Sequence, residues 1–191
     1  MTGDEPTPAP ASLPPAPARR LPAPAVRVRR IQEGDWSAIT ALEAAAYTPL
    51  GLSEGEQRLR SRAAVSPETC SVLHLGDRLA GYLLSLPCPP FRCPDLDRAE
   101  QPSAPGPHAG NLHLHDLVIA RELRRQGLAQ RLIRHLRRTA GSLGYERISL
   151  VAVGGADPFW AARGFTAHPG VRPPAGYGDQ AVYMSQRLEA S

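Results

Sequence analysis

The chain has 191 residues, a mass of 20.5 kDa and a formal net charge of +4 at pH 7. This length fits one domain with a tail. All 22 basic residues are arginine, which excludes Schiff-base chemistry on lysine and the P-loop lysine of many nucleotide-binding proteins. Arginine side chains or backbone amides must therefore bind any anion. An odd number of cysteines, three, argues against a disulfide framework.

The N-terminal segment predicts neither export nor membrane insertion. It is acidic and then rich in proline and alanine, without the basic and apolar regions of a secretory signal. No stretch approaches the roughly 20 apolar residues of a membrane span. We therefore expect a cytoplasmic protein with no membrane partner. Residues 1–25 have almost nothing to bury and are predicted to be a disordered tail, so the domain spans residues 26–191.

The hydrophobic pattern after the tail predicts a mixed α/β domain. Asp35 is a candidate N-cap for the first helix, and Gly76-Asp77 is typical of a hairpin turn. In chain order, the predicted elements are a strand at 26–29, helices at 36–47 and 53–64, strands at 71–75 and 79–86, a proline-rich insert at 87–111, a strand at 112–119, a helix at 126–141, a strand at 148–153, a helix at 157–163 and a strand at 181–187. Their order is β-α-α-β-β-β-α-β-α-β.

One segment carries a specific chemical signal. The apolar strand that ends at Ile119 is followed by a short turn and a helix whose start contains Arg124, Gly127 and Ala129. The first amides of a helix have no internal partner and lie at its positive end. Small residues there let an anion approach the backbone closely. The pattern indicates a pyrophosphate site, although a solvated, arginine-rich helix start has the same composition.

These residues resemble the acetyl-CoA motif R/Q-x-x-G-x-G/A of the GNAT superfamily of acyl-CoA N-acyltransferases. The segment 157–165, with Pro158-Phe159-Trp160 and Gly164-Phe165, is similar to the late Pro-Phe-Tyr…Gly-Phe helix of that family. The spacing from His113-Leu114-His115 to the Arg124 motif is closest to the arylalkylamine N-acetyltransferase branch. The resemblance extends over roughly residues 26–188.

The resemblance implies the GNAT fold and acetyl-CoA as co-substrate. The strand at 117–119 would pair with the pantetheine arm, and Trp160 would cover its sulfur end. The implied cofactor-binding residues are Leu117, Val118, Ile119, Arg124, Arg125, Gln126, Gly127, Leu128, Ala129, Gln130 and Trp160. Backbone amides from Arg125 to Gln130 would bind the pyrophosphate.

Two histidines are the candidate catalytic residues. His113 and His115 lie two positions apart on one strand, so both side chains are expected on one face. An alkylamine has a pKa near 10 and must lose a proton before it attacks a thioester. Histidine titrates near pH 6.5 and suits that role; the resemblance implies the same, and His115 is the stronger candidate. Alternatively, both histidines are inert, hydrogen-bonded strand residues.

The sequence lacks the family's usual acid for protonating the departing thiolate. Trp160 stands where the family often has a tyrosine, and an indole N–H is too weak an acid. Tyr177, Tyr183 or water would have to supply the proton. The acceptor site is expected from residues 47–52 and Phe91, a set with few acids, which favours a small, partly apolar primary amine.

Three other functions remain open. Cys88, Cys93 and His108 together with the two histidines resemble a set of zinc ligands, and the arginine-rich helix is typical of a nucleic-acid-binding surface. A non-catalytic acyl-CoA sensor of the same fold is the third. We expect neither metal nor nucleic acid, and a homodimer is possible.

Overall fold

The computed structural model describes residues 24–100 and 110–189, which form a mixed sheet of seven strands. The strands are β1 (Val26–Arg30), β2 (Ser71–Leu75), β3 (Arg78–Pro87), β4 (Asn111–Ile119), β5 (Arg147–Ala152), β6 (Thr166–Ala167) and β7 (Val182–Arg187). Their order across the sheet is β1-β2-β3-β4-β5-β7-β6. Neighbours are antiparallel except β4 and β5, which are parallel.

Helices cover both faces of this sheet. The helices are α1 (Trp36–Tyr47), α2 (Glu56–Val65), α3 (Leu128–Ser142) and α4 (Asp157–Ala161). One core cluster joins α1 and α2 to the face that carries Tyr82 and Val118, and the other joins α3 and α4 to the opposite face. The predicted mixed α/β fold is confirmed. Among the strands and α-helices of the described residues, β6 is the one addition, and a strand of two residues is too short to leave a period in the sequence.

Two helices begin at a later residue than predicted, and both differences affect the candidate site. Helix α2 begins at Glu56 rather than residue 53 because Gly55 precedes it with a φ of 78°. Helix α3 begins at Leu128 rather than residue 126 because Gly127, its N-cap, has a φ of 76°. The short helix α4 ends at Ala161, two residues earlier than predicted. Most of the predicted tail and His108 lie outside the described residues.

Strands β4 and β5 separate at their carboxyl ends. They pair from Asn111–Arg147 to Leu114–Leu150 and then part, although β4 continues to Ile119. A β-bulge lies at the same point, because Ser85 of β3 pairs with Leu114 and Leu84 pairs with Asp116. His115 is therefore the extra residue of the bulge, a feature that redirects a side chain. The parting strands leave an open cleft beside the second half of β4.

No helix within the two described ranges is long and apolar enough to cross a bilayer.

Candidate active site

A cleft of about 710 Å³ occupies the gap between β4 and β5. Its described lining contains arginines and no carboxylate. It brings together most of the predicted site: His115, Leu117, Val118, Ile119, Arg124, Arg125, Gly127, Leu128, Ala129, Gln130 and Trp160. Gln126 is not part of this lining, and neither is His113. The cleft thus joins the sequence motif to one histidine of the pair.

The turn before α3 presents a row of free amides to the cleft. Arg125 and Gly127 both have left-handed backbone, with φ of 65° and 76°. Among the described residues, the backbone N–H groups from Arg125 to Gln130 donate no hydrogen bond. A Cβ added at Gly127 would meet nothing within 4 Å. Free amides at the positive end of a 15-residue helix form a site for an anion such as a diphosphate.

Arginine side chains reinforce the positive charge of this end of the cleft. The Arg124 Nε donates to the Ile119 carbonyl oxygen at 3.2 Å, which ties the turn to the end of β4. Arg163 lies over the Phe159 ring, 3.4 Å from its centroid, and donates to the Phe159 carbonyl oxygen at 2.6 Å. With Arg125, three guanidinium groups line the cleft. A polyanionic ligand fits this charge.

His115 lies where this basic cleft meets a smaller pocket, and it lines both. Its side chain is 2% exposed, and its Nε2 lies 2.5 Å from Oε1 of Glu54. A carboxylate only accepts hydrogen bonds, so Nε2 carries the proton of this contact. The Nδ1 atom is buried without a hydrogen-bond partner in the described structure. His115 therefore has an unpartnered ring nitrogen at the junction of the two cavities.

Glu54 was not predicted, and the loop before α2 places it. Glu43 of α1 accepts hydrogen bonds from Ser53 Oγ at 2.8 Å and from the Glu54 backbone N–H at 2.6 Å. Burial would raise the pKa of Glu54, but hydrogen bonds from His115 and Arg62 lower it below its ordinary value. Glu54 is thus ionised at neutral pH and can orient the His115 ring. The two residues are 61 positions apart, so no local spacing could reveal the pair.

Arg62 supports Glu54 from behind. Its side chain is fully buried and forms ion pairs with Glu54 and, at 3.1 Å, with Glu100. It also donates to the Asp95 carbonyl oxygen at 2.9 Å. The Arg62 guanidinium thus links α2 to the insert after β3 and to Glu54, the partner of His115.

Replacing Arg62 with methionine should destabilise the fold. Removal of one partner leaves a buried, uncompensated carboxylate, which typically costs ~3–5 kcal/mol. The free energy of unfolding in urea would measure this loss. Arg60→Met, a half-buried position on the same helix whose ion-pair partners Glu33 and Glu56 are exposed, is the matched control and should lower it much less. Equal losses in the two variants would contradict the role assigned to Arg62.

The smaller pocket, about 40 Å³, lies beyond His115 and is acidic. Glu43, Glu54 and Asp116 all line it, whereas the sequence predicts few acids around residues 47–52 and Phe91. The remaining lining residues are Tyr47, Leu52, Leu96, His115, Val151, Val153 and Tyr177. The acids come from α1, the loop before α2 and β4, and only the fold brings them together.

Three aromatic residues proposed for the site have other partners. The Phe91 ring packs against His168 and Tyr183, with centroids 5.3 and 6.0 Å away, and does not line either cavity. The Tyr183 hydroxyl accepts the Phe91 backbone N–H at 2.9 Å. Tyr177 does line the acidic pocket, but its hydroxyl donates to the Pro94 carbonyl oxygen at 2.9 Å. Burial raises the pKa of both tyrosines, which makes each a weaker acid.

His113 has a different environment from His115. It is 1% exposed, and its Nδ1 lies 3.0 Å from the Ser149 hydroxyl, which also accepts a hydrogen bond from Asn111. Burial lowers the pKa of His113 to about 3. Its imidazole is therefore neutral at physiological pH. His113 also lies outside both cavities. The structure places one histidine of the pair at the cleft and the other in a buried polar network.

The described residues of the zinc alternative do not converge. Cys88 contacts the Arg92 carbonyl oxygen at 3.6 Å, whereas the two histidines contact Ser149 and Glu54. Within residues 24–100 and 110–189, no group of three or more histidine, cysteine or acidic side chains is arranged to hold a metal ion.

Comparison with known proteins identifies the family. A model of the acetyltransferase (GNAT) family matches residues 36–165. No curated protein sequence matches the chain. The chain therefore belongs to the GNAT acetyltransferase family, and the match includes the helix-start motif, both histidines and Trp160.

Solved structures share the same fold at low sequence identity. The loading GNATL domain of CurA from Lyngbya majuscula has a TM-score of 0.69 and 18% identity, covering 86% of this chain and 98% of that one. Ard1 from Thermoplasma volcanium has a TM-score of 0.67 and 13% identity, covering 86% and 99%. N-acetylglutamate synthase from Neisseria gonorrhoeae, complexed with coenzyme A and N-acetylglutamate, has a TM-score of 0.65 and 18% identity, covering 86% and 35%. At this level of identity the likeness shows the fold and leaves the acceptor open.

Proposed function

We propose that the chain transfers an acetyl group from acetyl-CoA to the primary amine of a small molecule, with His115 as the proton acceptor. The observation that carries this proposal is the unpartnered Nδ1 of His115 at the junction of a basic cleft and an acidic pocket. A general base needs a free lone pair within reach of the nucleophile. Glu54 keeps the ring in the tautomer that provides it.

Different regions of the basic cleft fit different parts of coenzyme A. The free amides from Arg125 to Gln130 would bind the diphosphate, and Arg124, Arg125 and Arg163 would add charge. The backbone of β4 beyond Leu114 is unpaired on its β5 side and offers hydrogen-bonding groups to the amides of the pantetheine arm. Trp160, 8% exposed, would pack against the sulfur end. Gln126 would contribute its backbone amide.

The reaction is a direct attack of the amine on the thioester carbonyl carbon. His115 Nδ1 takes one proton from the ammonium form, and the neutral nitrogen then bonds to the carbonyl carbon. The C–S bond breaks, a second proton passes from the nitrogen to solvent as the amide forms, and the thiolate takes up one proton from solvent. His115 then releases its proton to solvent, so that each turnover yields one net proton. Water serves as this acid because both tyrosine hydroxyls have other partners. His113 has no proton-transfer role in this scheme.

The acceptor belongs to a narrower class in this proposal. The spacing of the histidine strand and the helix-start motif favours the arylalkylamine N-acetyltransferase branch, and the acidic pocket accommodates an amine. The proposed activity needs neither a nucleic acid nor a membrane. A cytoplasmic location and a homodimer stay predictions of the sequence.

An amine panel tests the proposal directly. The purified full chain would be incubated with acetyl-CoA and primary amines, including arylalkylamines, while free thiol and acetylated product are measured. We expect stoichiometric thiol and N-acetyl product with at least one amine. Binding of acetyl-CoA without any product across the panel would indicate an acyl-CoA sensor instead. Absence of acetyl-CoA binding would overturn the proposal entirely.

Glu54→Gln should lower kcat about 10- to 100-fold, since a hydrogen bond to a charged group contributes about 1.5–3 kcal/mol. The glutamine loses the charge that stabilises the imidazolium form of His115. The affinity for acetyl-CoA, measured by calorimetry, should stay within about twofold because Glu54 does not line the cofactor cleft. Glu56→Gln, two residues further on, is the matched control. A similar kcat in both variants would contradict the pairing of Glu54 with His115.

A further inference from the structure

We propose that the acceptor enters as its ammonium cation and that the buried carboxylate of Glu43 selects for this positive charge. The inference rests on the proposed acetyl transfer and names its substrate class: primary alkylamines and aralkylamines that are charged at neutral pH, rather than uncharged nitrogen nucleophiles. Glu43 is a specificity-determining residue in this view, and it was not singled out by the sequence.

Apart from His115, which pairs with Glu54, the described lining of the acidic pocket contains no basic side chain. Glu43 and Asp116 are 1% and 6% exposed, and the Glu54 side chain is 6% exposed. The described lining of the acidic pocket contains no arginine. Arg62 lies behind Glu54 and forms ion pairs with both Glu54 and Glu100. Buried charges are normally paired. The pocket therefore favours a cation from outside the chain.

Glu43 is the carboxylate that such a cation would compensate. Glu54 already has two cationic or potentially cationic partners, His115 and Arg62. Asp116 accepts hydrogen bonds from the hydroxyls of Tyr82 and Tyr47. Glu43 receives only neutral donors, Ser53 Oγ and the Glu54 N–H. Burial raises the pKa of Glu43, and the nearby charges of Asp116 and Glu54 raise it further; an ammonium group would reverse this effect.

An independent observation points to a donor in the same place. The Nδ1 of His115 is buried and unpartnered, and its ring lines the acidic pocket. An ammonium N–H would satisfy this lone pair while its charge meets the carboxylates. The pocket volume of about 40 Å³ has room for about three water-sized groups. That is enough for the ammonium head and its first carbon atoms.

Binding the cation also makes nearly all of the dissolved amine available to the site. An alkylamine with a pKa near 10 is about 99.9% protonated at pH 7. A site that binds the cation and removes its proton afterwards uses nearly the whole amine pool. A site that binds the neutral form uses about one molecule in a thousand.

Two acceptors of nearly equal shape test the charge selection. Benzylamine is cationic at neutral pH, whereas phenylhydrazine has the same number of non-hydrogen atoms and is uncharged. The comparison uses the full chain, acetyl-CoA and the variant Glu43→Gln, whose amide keeps an oxygen to accept the Glu54 N–H. We expect kcat/KM for benzylamine to fall at least tenfold, through KM, and that for phenylhydrazine to change less than twofold. Glu56→Gln, which removes an exposed charge, should change neither.

A binding measurement separates this inference from the proposed function. Calorimetry with benzylammonium and the chain saturated with coenzyme A should give at least tenfold weaker binding in Glu43→Gln than in the wild type. If the wild type binds benzylammonium in this way but acetylates neither compound, the acetyl transfer fails and the cation site stands. If Glu43→Gln lowers kcat/KM equally for both acceptors, or lowers it for neither, Glu43 has no role in charge selection and the inference is overturned.

Discussion

His115→Ala should lower kcat by about 10²- to 10⁴-fold, the range that a positioned general base contributes. The variant loses the lone pair that takes a proton from the ammonium form of the acceptor. In the wild type, kcat should rise with pH because removal of a proton from the acceptor is part of the reaction. In the variant this rise should be flattened, because His115 no longer accepts that proton. Steady-state kinetics between pH 5.5 and about 9 would measure both effects.

Two comparisons make the His115 result specific. The acetyl-CoA dissociation constant should stay within about twofold, because the diphosphate contacts assigned to α3 remain intact. His135→Ala, on α3 and outside both cavities, should keep the wild-type kcat and pH profile. His113→Ala should also keep the rise of kcat with pH, since His113 is neutral and outside the cavities. A wild-type pH profile in His115→Ala would refute the assignment of the base.

The contrast between the two histidines explains why the sequence predicts only part of the site. Alternation along a strand places His113 and His115 on one face, and it says nothing about their partners. The bulge at His115 depends on the pairing of β4 with Ser85 and Leu84, about 30 residues earlier in the chain. The burial of His113 depends on Ser149 of β5. Chemical roles that depend on such distant contacts cannot be derived from local periodicity.

The fold and the free amides before α3 could be predicted for the opposite reason. Helix α3 has a strongly one-sided apolar pattern, with Leu128, Leu132 and Leu136 all buried. The turn before it is a contiguous segment, and its amides become available wherever a strand leads into a helix in this way. In contrast, Glu43, Glu54 and Asp116 come from three separate elements. Their convergence depends on the packing of α1 and α2 against the sheet.

Gly127→Glu should raise the dissociation constant for acetyl-CoA at least about 100-fold, which corresponds to about 2.7 kcal/mol. The new carboxylate would project from the N-cap of α3 toward the free amides that we assign to the diphosphate. It would both compete for these amides and repel the anion. Non-glycine residues also resist the φ of 76° at this position, so backbone strain contributes part of the effect.

Gly144→Glu separates charge at the cleft from strain. Gly144 follows the other end of α3, has a φ of 81°, and an added Cβ there would also meet nothing within 4 Å. It therefore carries a similar conformational penalty and the same charge change, but away from the amides. Calorimetry should show near wild-type acetyl-CoA affinity for Gly144→Glu and the large loss for Gly127→Glu. Comparable affinities in the two variants would show that the diphosphate binds elsewhere, because the helix start would then be free of the ligand.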